Sequence, residues 1–252
     1  MRRMIRALLL WPMGLFAVFF LLPALLASLW WAVQDRPSSW RAADWSASGL
    51  LPAAAEMPEA AIHVLAARTG GAKGALSVHS WIVYKEAGAD RWTRAEVVGW
   101  GTPLRRDAYA PDARWYSNAP GFVGSVTGPE AAALIPRIEA SIRDYPWARR
   151  GDYGIWPGPN SNTFVAHILR EVPEIGLTLP PHAVGRDFTG RGPVVTWDAG
   201  GDWHLSWSGL AGLSAGPRTG LELHLLGQVF GVDVLRPALK LPGIGRVGVP
   251  FS

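Results

Sequence analysis

Leu76-Ser77-Val78-His79-Ser80-Trp81-Ile82-Val83-Tyr84 is the first stretch that commits to a secondary structure. Leu76, Val78, Ile82 and Tyr84 alternate with His79, Trp81 and Val83, and a period of two is the signature of a strand. Lys85 to Arg91 contains Gly88 and turns the chain, and Trp92 to Trp100 reads as the returning strand of a hairpin. Arg105 to Gly128, with Pro111, Asn118, Pro120 and several glycines, reads as a long loop. Pro129 opens a helix whose Ala133, Leu134, Ile138 and Ile142 share one face, with Pro136 in its middle and Tyr145-Pro146 beyond its end. A second helix follows Trp156-Pro157-Gly158-Pro159-Asn160. Its Phe164, Val165, Ile168, Leu169 and Val172 recur at helical spacing, and Pro173 stops it. Beyond Gly190 the strand pattern returns. Val194–Trp197 and Trp203–Trp207 flank a turn at 198–202, and Leu221, Leu223 and Leu225 alternate with Glu222 and His224. Strands, two helices, then strands predict an α+β fold rather than a doubly wound parallel sheet. The strands at 191–235 carry an apolar face that needs cover.

Ala7 to Val33 is an uncharged run, ~40 Å long as a helix against a hydrocarbon core of ~30 Å. Pro12 and Pro23 interrupt it, which spanning helices tolerate. A cleaved secretory signal is the rival reading. Its apolar core should be shorter and end in a small-residue site, whereas this run leaves through Leu29-Trp30-Trp31, suited to an interface. We expect an uncleaved anchor contacting the bilayer through residues 7–33. Arg2, Arg3 and Arg6 place a cytoplasmic tail at 1–6 by the positive-inside rule. The rest then faces outward as a juxtamembrane linker, 34–58, and an α+β domain, 59–252, periplasmic in a single-pass protein of a bacterial inner membrane.

Composition excludes several classes. Hydrophobic residues are 49% and charged residues 17%, the reverse of a disordered chain. There is no cysteine, so neither disulfides nor thiolate chemistry are available. The net charge of +4 owes three units to the arginines at the N-terminus, which leaves no basic face for nucleic acid. The histidines lack metal-ligand spacing and no Walker motif is present, so no cofactor or metal is expected. Gly243-Ile-Gly245-Arg-Val-Gly248 spells a dinucleotide fingerprint without the helix that must follow it, and reads as a flexible tail. Gly212-Leu-Ser214-Ala-Gly216 spells a nucleophile elbow, but His224 and Glu222 on one strand cannot complete its triad.

Two segments carry the chemistry. His79 lies in a strand, and Asn160-Ser161-Asn162-Thr163 opens a helix. A side chain at a helix start meets positive potential and free backbone N–H groups, which stabilise an oxyanion, and a histidine on a neighbouring strand serves as base. The same residues have a plain structural reading. Asn, Ser and Thr are preferred N-caps, worth ~1 kcal/mol, and His79 is then a hydrogen-bonded strand histidine. Glu96 either orients His79 across the hairpin or is a solvated strand charge. Trp81 and Trp156 are either ligand platforms or core.

Gly158-Pro-Asn-Ser-Asn-Thr-Phe164 resembles the N-C-N-x-F signature of permuted papain-like hydrolases, a group that includes relatives of lecithin–retinol acyltransferase and the desumoylating isopeptidases. The family's histidine precedes its nucleophile, as His79 precedes Ser161, and its cysteine falls on Ser161. The resemblance implies a permuted papain-like domain with an antiparallel sheet and two main helices. It implies acyl transfer or amide, ester or peptide hydrolysis, with Ser161 as nucleophile, His79 as base and Glu96 as third member. Asn160, Asn162, Trp156 and Trp81 would flank the substrate. Residues 60–250 also resemble a bacterial membrane-protein family carried as a domain of unknown function, through Glu96-Val-Val-Gly-Trp-Gly101, Trp156–Phe164, Leu179-Pro-Pro-His-Ala-Val-Gly-Arg-Asp187 and Leu235–Pro242. The contrasting expectation is a non-catalytic envelope module that binds a peptide, glycan or lipid through tryptophans.

Overall fold

The computed structural model describes residues 10–248, so the tail expected at 1–6 and the first residues of the expected span lie outside the described residues. The N-terminal helix α1, Leu10–Ala32, is long and apolar enough to cross a membrane. Its turn at Ala17–Leu21 widens to π geometry just before Pro23. Proline lacks the N–H for the ladder and crowds the carbonyl four residues back, and a π turn relieves both. Residues 34–58 dock on the following domain, where the Asp112 carboxylate accepts the Leu50 N–H at 2.6 Å and the Ser48 hydroxyl at 3.1 Å.

Five antiparallel strands form the first sheet, ordered β4-β3-β2-β1-β5: β1 Ala61–Arg68, β2 Val78–Lys85, β3 Thr93–Val97, β4 Leu104–Arg106 and β5 Gly121–Thr127. The expected hairpin is β2–β3, in the register Ile82 opposite Ala95. The expected loop at 105–128 is a correction, since it holds the end of β4 and all of β5. Helices α2, Gly128–Arg143, and α3, Ser161–Glu171, cover one face of this sheet. Ile62, Val64, Ile82 and Val97 meet Ile138, Phe164 and Ile168 there. Pro136 sits inside α2 without ending it. The opposite face packs Leu65, Trp81, Val83 and Val98 against Trp115 and, from the docked segment, Trp45 and Leu50.

The second sheet is a seven-stranded antiparallel meander in sequence order: β6 Pro193–Trp197, β7 Trp203–Trp207, β8 Ala211–Gly216, β9 Gly220–Leu225, β10 Gln228–Asp233, β11 Ala238–Leu241 and β12 Gly245–Gly248. The fold is therefore α+β with two sheets where one was expected. The supposed flexible tail at 243–248 is the β11–β12 turn and β12 itself. Strand alternation also runs inside out here. The inward face carries His204, Ser214, Glu222, His224 and Lys240, packed toward α3 and the 177–189 loop. The outward face carries cross-strand rows of apolar residues. One joins Val195, Leu205, Leu213, Leu223 and Phe230, and another runs from Trp197 and Trp203 through Leu221 and Val232 to Leu239 and Val247. The apolar face expected to be covered is the exposed one, and the charged face is buried.

Candidate functional site

The site begins with how α3 starts. The side-chain oxygen of Asn160 accepts the backbone N–H groups of Asn162 at 2.9 Å and Thr163 at 3.2 Å, while the Thr163 hydroxyl accepts the Asn160 N–H at 3.0 Å. This reciprocal cap satisfies three donors that a helix start leaves open. The Asn160 amide donates to Val184 O at 3.0 Å. Gly185 has φ +95, and a Cβ there would lie 2.3 Å from that amide nitrogen, so only glycine lets this loop close on the helix.

Asn162 then pins the helix to β2. Its amide donates to Val78 O and to Val184 O, each at 2.8 Å, and its oxygen accepts the Ser80 hydroxyl at 2.8 Å. The helix start is thus tied to both neighbours of His79. The strand and helix that the sequence separates by about eighty residues pack together. The amide N–H groups of both asparagines are spent inside the protein, on Ile155 O and Val184 O for Asn160 and on Val78 O and Val184 O for Asn162.

His79 points from β2 to the opposite face. Its ring lies on Trp115 with centroids 3.6 Å apart and planes 4° from parallel. Nε2 sits 2.8 Å from a Glu96 oxygen, and Arg94 donates to that same oxygen at 2.9 Å. Extending the β2–β3 register puts Glu96 opposite Trp81, a diagonal step from His79 on one face. Glu96 is 1% exposed, so it is the orienting partner and not a solvated charge. Burial holds His79 below its usual pKa, more strongly than the Glu96 hydrogen bond raises it. Burial pushes the Glu96 carboxyl up, but the His79 hydrogen bond and the Arg94 charge bring it below its usual value. A neutral imidazole beside a carboxylate donates through Nε2, which leaves the lone pair on Nδ1.

Ser161 is 4% exposed, as is His79, and no hydrogen bond joins the two among the described residues. The Ser161 N–H has no partner among the described residues, whereas its neighbours' N–H groups are consumed by Asn160. Trp81 is sealed from solvent. Its indole donates to Pro111 O at 2.8 Å and its face carries the Arg94 guanidinium at 4.2 Å, so it is core and not a ligand platform. Trp156 is half exposed and donates to Leu226 O at 3.0 Å, at the turn between β9 and β10. The sequence reading missed Arg94 and Trp115. Arg94 lies two residues before Glu96 on one strand face, a signal that was available. Trp115 sits in an irregular segment with no period to read.

Two further features lie apart. Trp40, Trp45, Trp100 and Tyr116 line a recess of about 350 Å³ beside Trp115. Behind α3, the groups Asp187, Glu222, His224 and Asp198, Asp202, His204 each bring ligand-type atoms within 4.8 Å of one another. Arg186 and Lys240 already hold Glu222, and Arg218 holds Asp198 and, at 3.2 Å, Asp202. With Arg170 lining the same cavity, the carboxylates are matched by cations, so the chemistry of the donor set is that of an ion-pair network and does not call for a metal ion. The Ser214 hydroxyl lies 2.8 Å from His204 Nδ1, but the two residues are direct cross-strand partners. The His63–Ser125 pair on the first sheet makes the same contact at 2.7 Å in the same register, so the arrangement is a sheet feature rather than a triad.

A family model described as Protein of unknown function (DUF3750) matches residues 59–188 of the 252, and the chain belongs to that family. The match covers the first sheet and both helices, and ends at Phe188 before the second sheet begins. No curated protein and no solved structure matches the chain.

Proposed function

We propose that this member of the DUF3750 family is a single-pass membrane protein, N-terminus cytoplasmic. In this reading its outward domain, 59–252, is an acyl-transfer or amide, ester or peptide hydrolase of permuted papain-like type. The observation that carries it is the pairing of a buried, neutral His79, oriented by Glu96 at 2.8 Å, with a helix start pinned by Asn162 to the two residues flanking that histidine. In the reaction, the Ser161 hydroxyl gives its proton to His79 Nδ1 and its oxygen attacks the substrate carbonyl. The Ser161 N–H, at the positive end of α3, faces the resulting oxyanion. The imidazolium, stabilised by the Glu96 carboxylate, returns the proton to the leaving group. Water or an acceptor then releases the acyl group by the same route. Because His79 points to the face of the first sheet opposite α3 and its ring lies on Trp115, the step requires the imidazole to turn toward Ser161 when substrate binds.

The test is labelling of the purified full chain by a fluorophosphonate probe, with Ser161→Ala and His79→Ala as controls. Labelling of wild type alone supports the reading. No labelling of wild type, together with no iodoacetamide reactivity of Ser161→Cys above its denatured rate, sinks it.

A second reading, a non-catalytic module binding a peptide, glycan or lipid, is favoured by the sealed Ser161 and by the open recess of Trp40, Trp45, Trp100 and Tyr116. It expects Trp100→Ala to abolish ligand binding while Ser161→Ala leaves it intact.

A further inference from the structure

We infer that the outward face of the second sheet is a lipid-contact surface, a second membrane attachment beside α1. The inference rests on α1 spanning the bilayer. None of the outward strand positions from β6 to β12 carries a charge, while Glu222, Asp233, Lys240 and Arg246 all point inward. In water the hydrophobic effect selects the opposite arrangement. Apolar-out, polar-in alternation is the pattern of strands whose outer side meets hydrocarbon. Leu213, Leu221, Leu223 and Leu239 are between 42% and 58% exposed, and Trp197 is 74% exposed. Six inter-strand spacings of ~4.8 Å by three rows give a projected patch on the order of 400 Å², at the size where a monomer's apolar patch is functional.

What covers this face is set by its contact with α1. Phe19 stacks on Phe230 with centroids 4.4 Å apart, and Phe20 meets the same ring at 6.2 Å. A Cβ on Gly243, in the β11–β12 turn, would lie 2.8 Å from the Ala27 Cβ. Phe19 and Phe20 lie about twelve residues before the end of α1, or ~18 Å along its axis. With Trp30, which is half exposed, at the interface, Phe19 and Phe20 lie about halfway through a ~30 Å hydrocarbon core. Phe230 touches α1 at this depth, so the face that carries it cannot stand in bulk water. The ladder bonds satisfy the backbone of the inner strands, as hydrocarbon requires, and the charged face stays covered by the domain.

The absence of cysteine gives a ready background for single-site labelling. Nitroxides at Leu213→Cys, Leu223→Cys and Leu239→Cys in the full chain, in phosphatidylethanolamine/phosphatidylglycerol nanodiscs, report collision with oxygen and with a water-soluble nickel chelate. Leu22→Cys on α1 and Glu130→Cys on α2 are the references. The expected result is an oxygen-to-nickel ratio at the three sheet sites several-fold above Glu130→Cys and in the range of Leu22→Cys. Sheet sites matching Glu130→Cys while Leu22→Cys is in lipid overturn the inference alone. Leu22→Cys in water overturns the spanning reading and the inference with it. Sheet sites shielded from both reagents mean that a protein partner or second copy covers the face, and also overturn it. Quenching by brominated lipid avoids the labels. Trp197→Phe/Trp207→Phe should lose part of the quenchable fluorescence of wild type, and an unchanged quenched share counts against the inference.

Discussion

Asn162→Ala tests whether the helix start is held to the His79 strand as described. The side chain is 2% exposed and makes three hydrogen bonds, to Val78 O, Val184 O and the Ser80 hydroxyl. A net hydrogen bond is worth ~1 kcal/mol, and each buried partner left unsatisfied costs ~1–3 kcal/mol. Val184 O keeps the Asn160 amide at 3.0 Å and Val78 O keeps the Ser77 hydroxyl at 3.3 Å, so the stranded group is chiefly Ser80 Oγ, on top of the three hydrogen bonds lost. The expected loss is about 3–4 kcal/mol, read as a shift of the urea midpoint for detergent-solubilised protein. Ser80→Ala alone should cost about 1 kcal/mol. The double variant should cost no more than Asn162→Ala, because the Ser80 bond is already gone, giving a coupling of ~1 kcal/mol. An Asn162→Ala loss below about 1 kcal/mol, or strictly additive single effects, refutes the pinning argument.

Glu96→Gln should destabilise by roughly 3–5 kcal/mol, because Arg94, buried with it, loses its only carboxylate among the described residues; Arg94→Met/Glu96→Gln should recover part of that in the same melt. Acid should weaken the fold early. Burial lowers His63 to about 4 and His182 to about 3, so the unfolded chain binds protons first as pH falls below ~6.5. Stability is then full above that value and falls by up to about 2 kcal/mol per histidine by pH 5. Thermal melts from pH 7.5 to 5 check this, and His182→Gln should flatten the slope.

The sequence made α2 and α3 legible through apolar residues at helical spacing, and the β2–β3 hairpin through β-branched and aromatic residues on either side of the turn at Gly88, although β2 is buried on both faces. Strand β1 has no such turn and returning strand to mark it. Ala61-Ile-His-Val-Leu-Ala-Ala-Arg68 is covered on both faces, and a strand buried twice shows no alternation. Strand β5 hid in a glycine-rich stretch, where a Cβ on Gly124 would displace the Leu177 side chain, 2.3 Å away. At the candidate site, His79 and the α3 cap were readable from residue type and order. The burial of Glu96 was not, since it depends on a register and on Arg94 and Trp115 from elsewhere in the chain.

The second sheet shows what alternation alone omits. Period two at 203–225 separates two faces, and hydrophobicity alone assigns the leucine face to the core. The contacts of Phe230 with α1 assign it outward instead. Leu213 and Ser214 are adjacent and decide between these assignments. Leu213 is 42% exposed, so Leu213→Ser should change stability in detergent by less than about 1 kcal/mol. Ser214 is 2% exposed, lies 2.8 Å from His204 Nδ1, and lines a cavity of about 60 Å³ among Arg218, Glu222 and Asp202. Ser214→Leu removes that hydrogen bond and drives a branched side chain against buried charges, with a cost of roughly 3 kcal/mol from overpacking and the stranded imidazole together. The polar-to-apolar change should therefore be the damaging one, the reverse of what a water-facing sheet would show. Urea midpoints for the two variants in the opposite order would return the leucine face to the core.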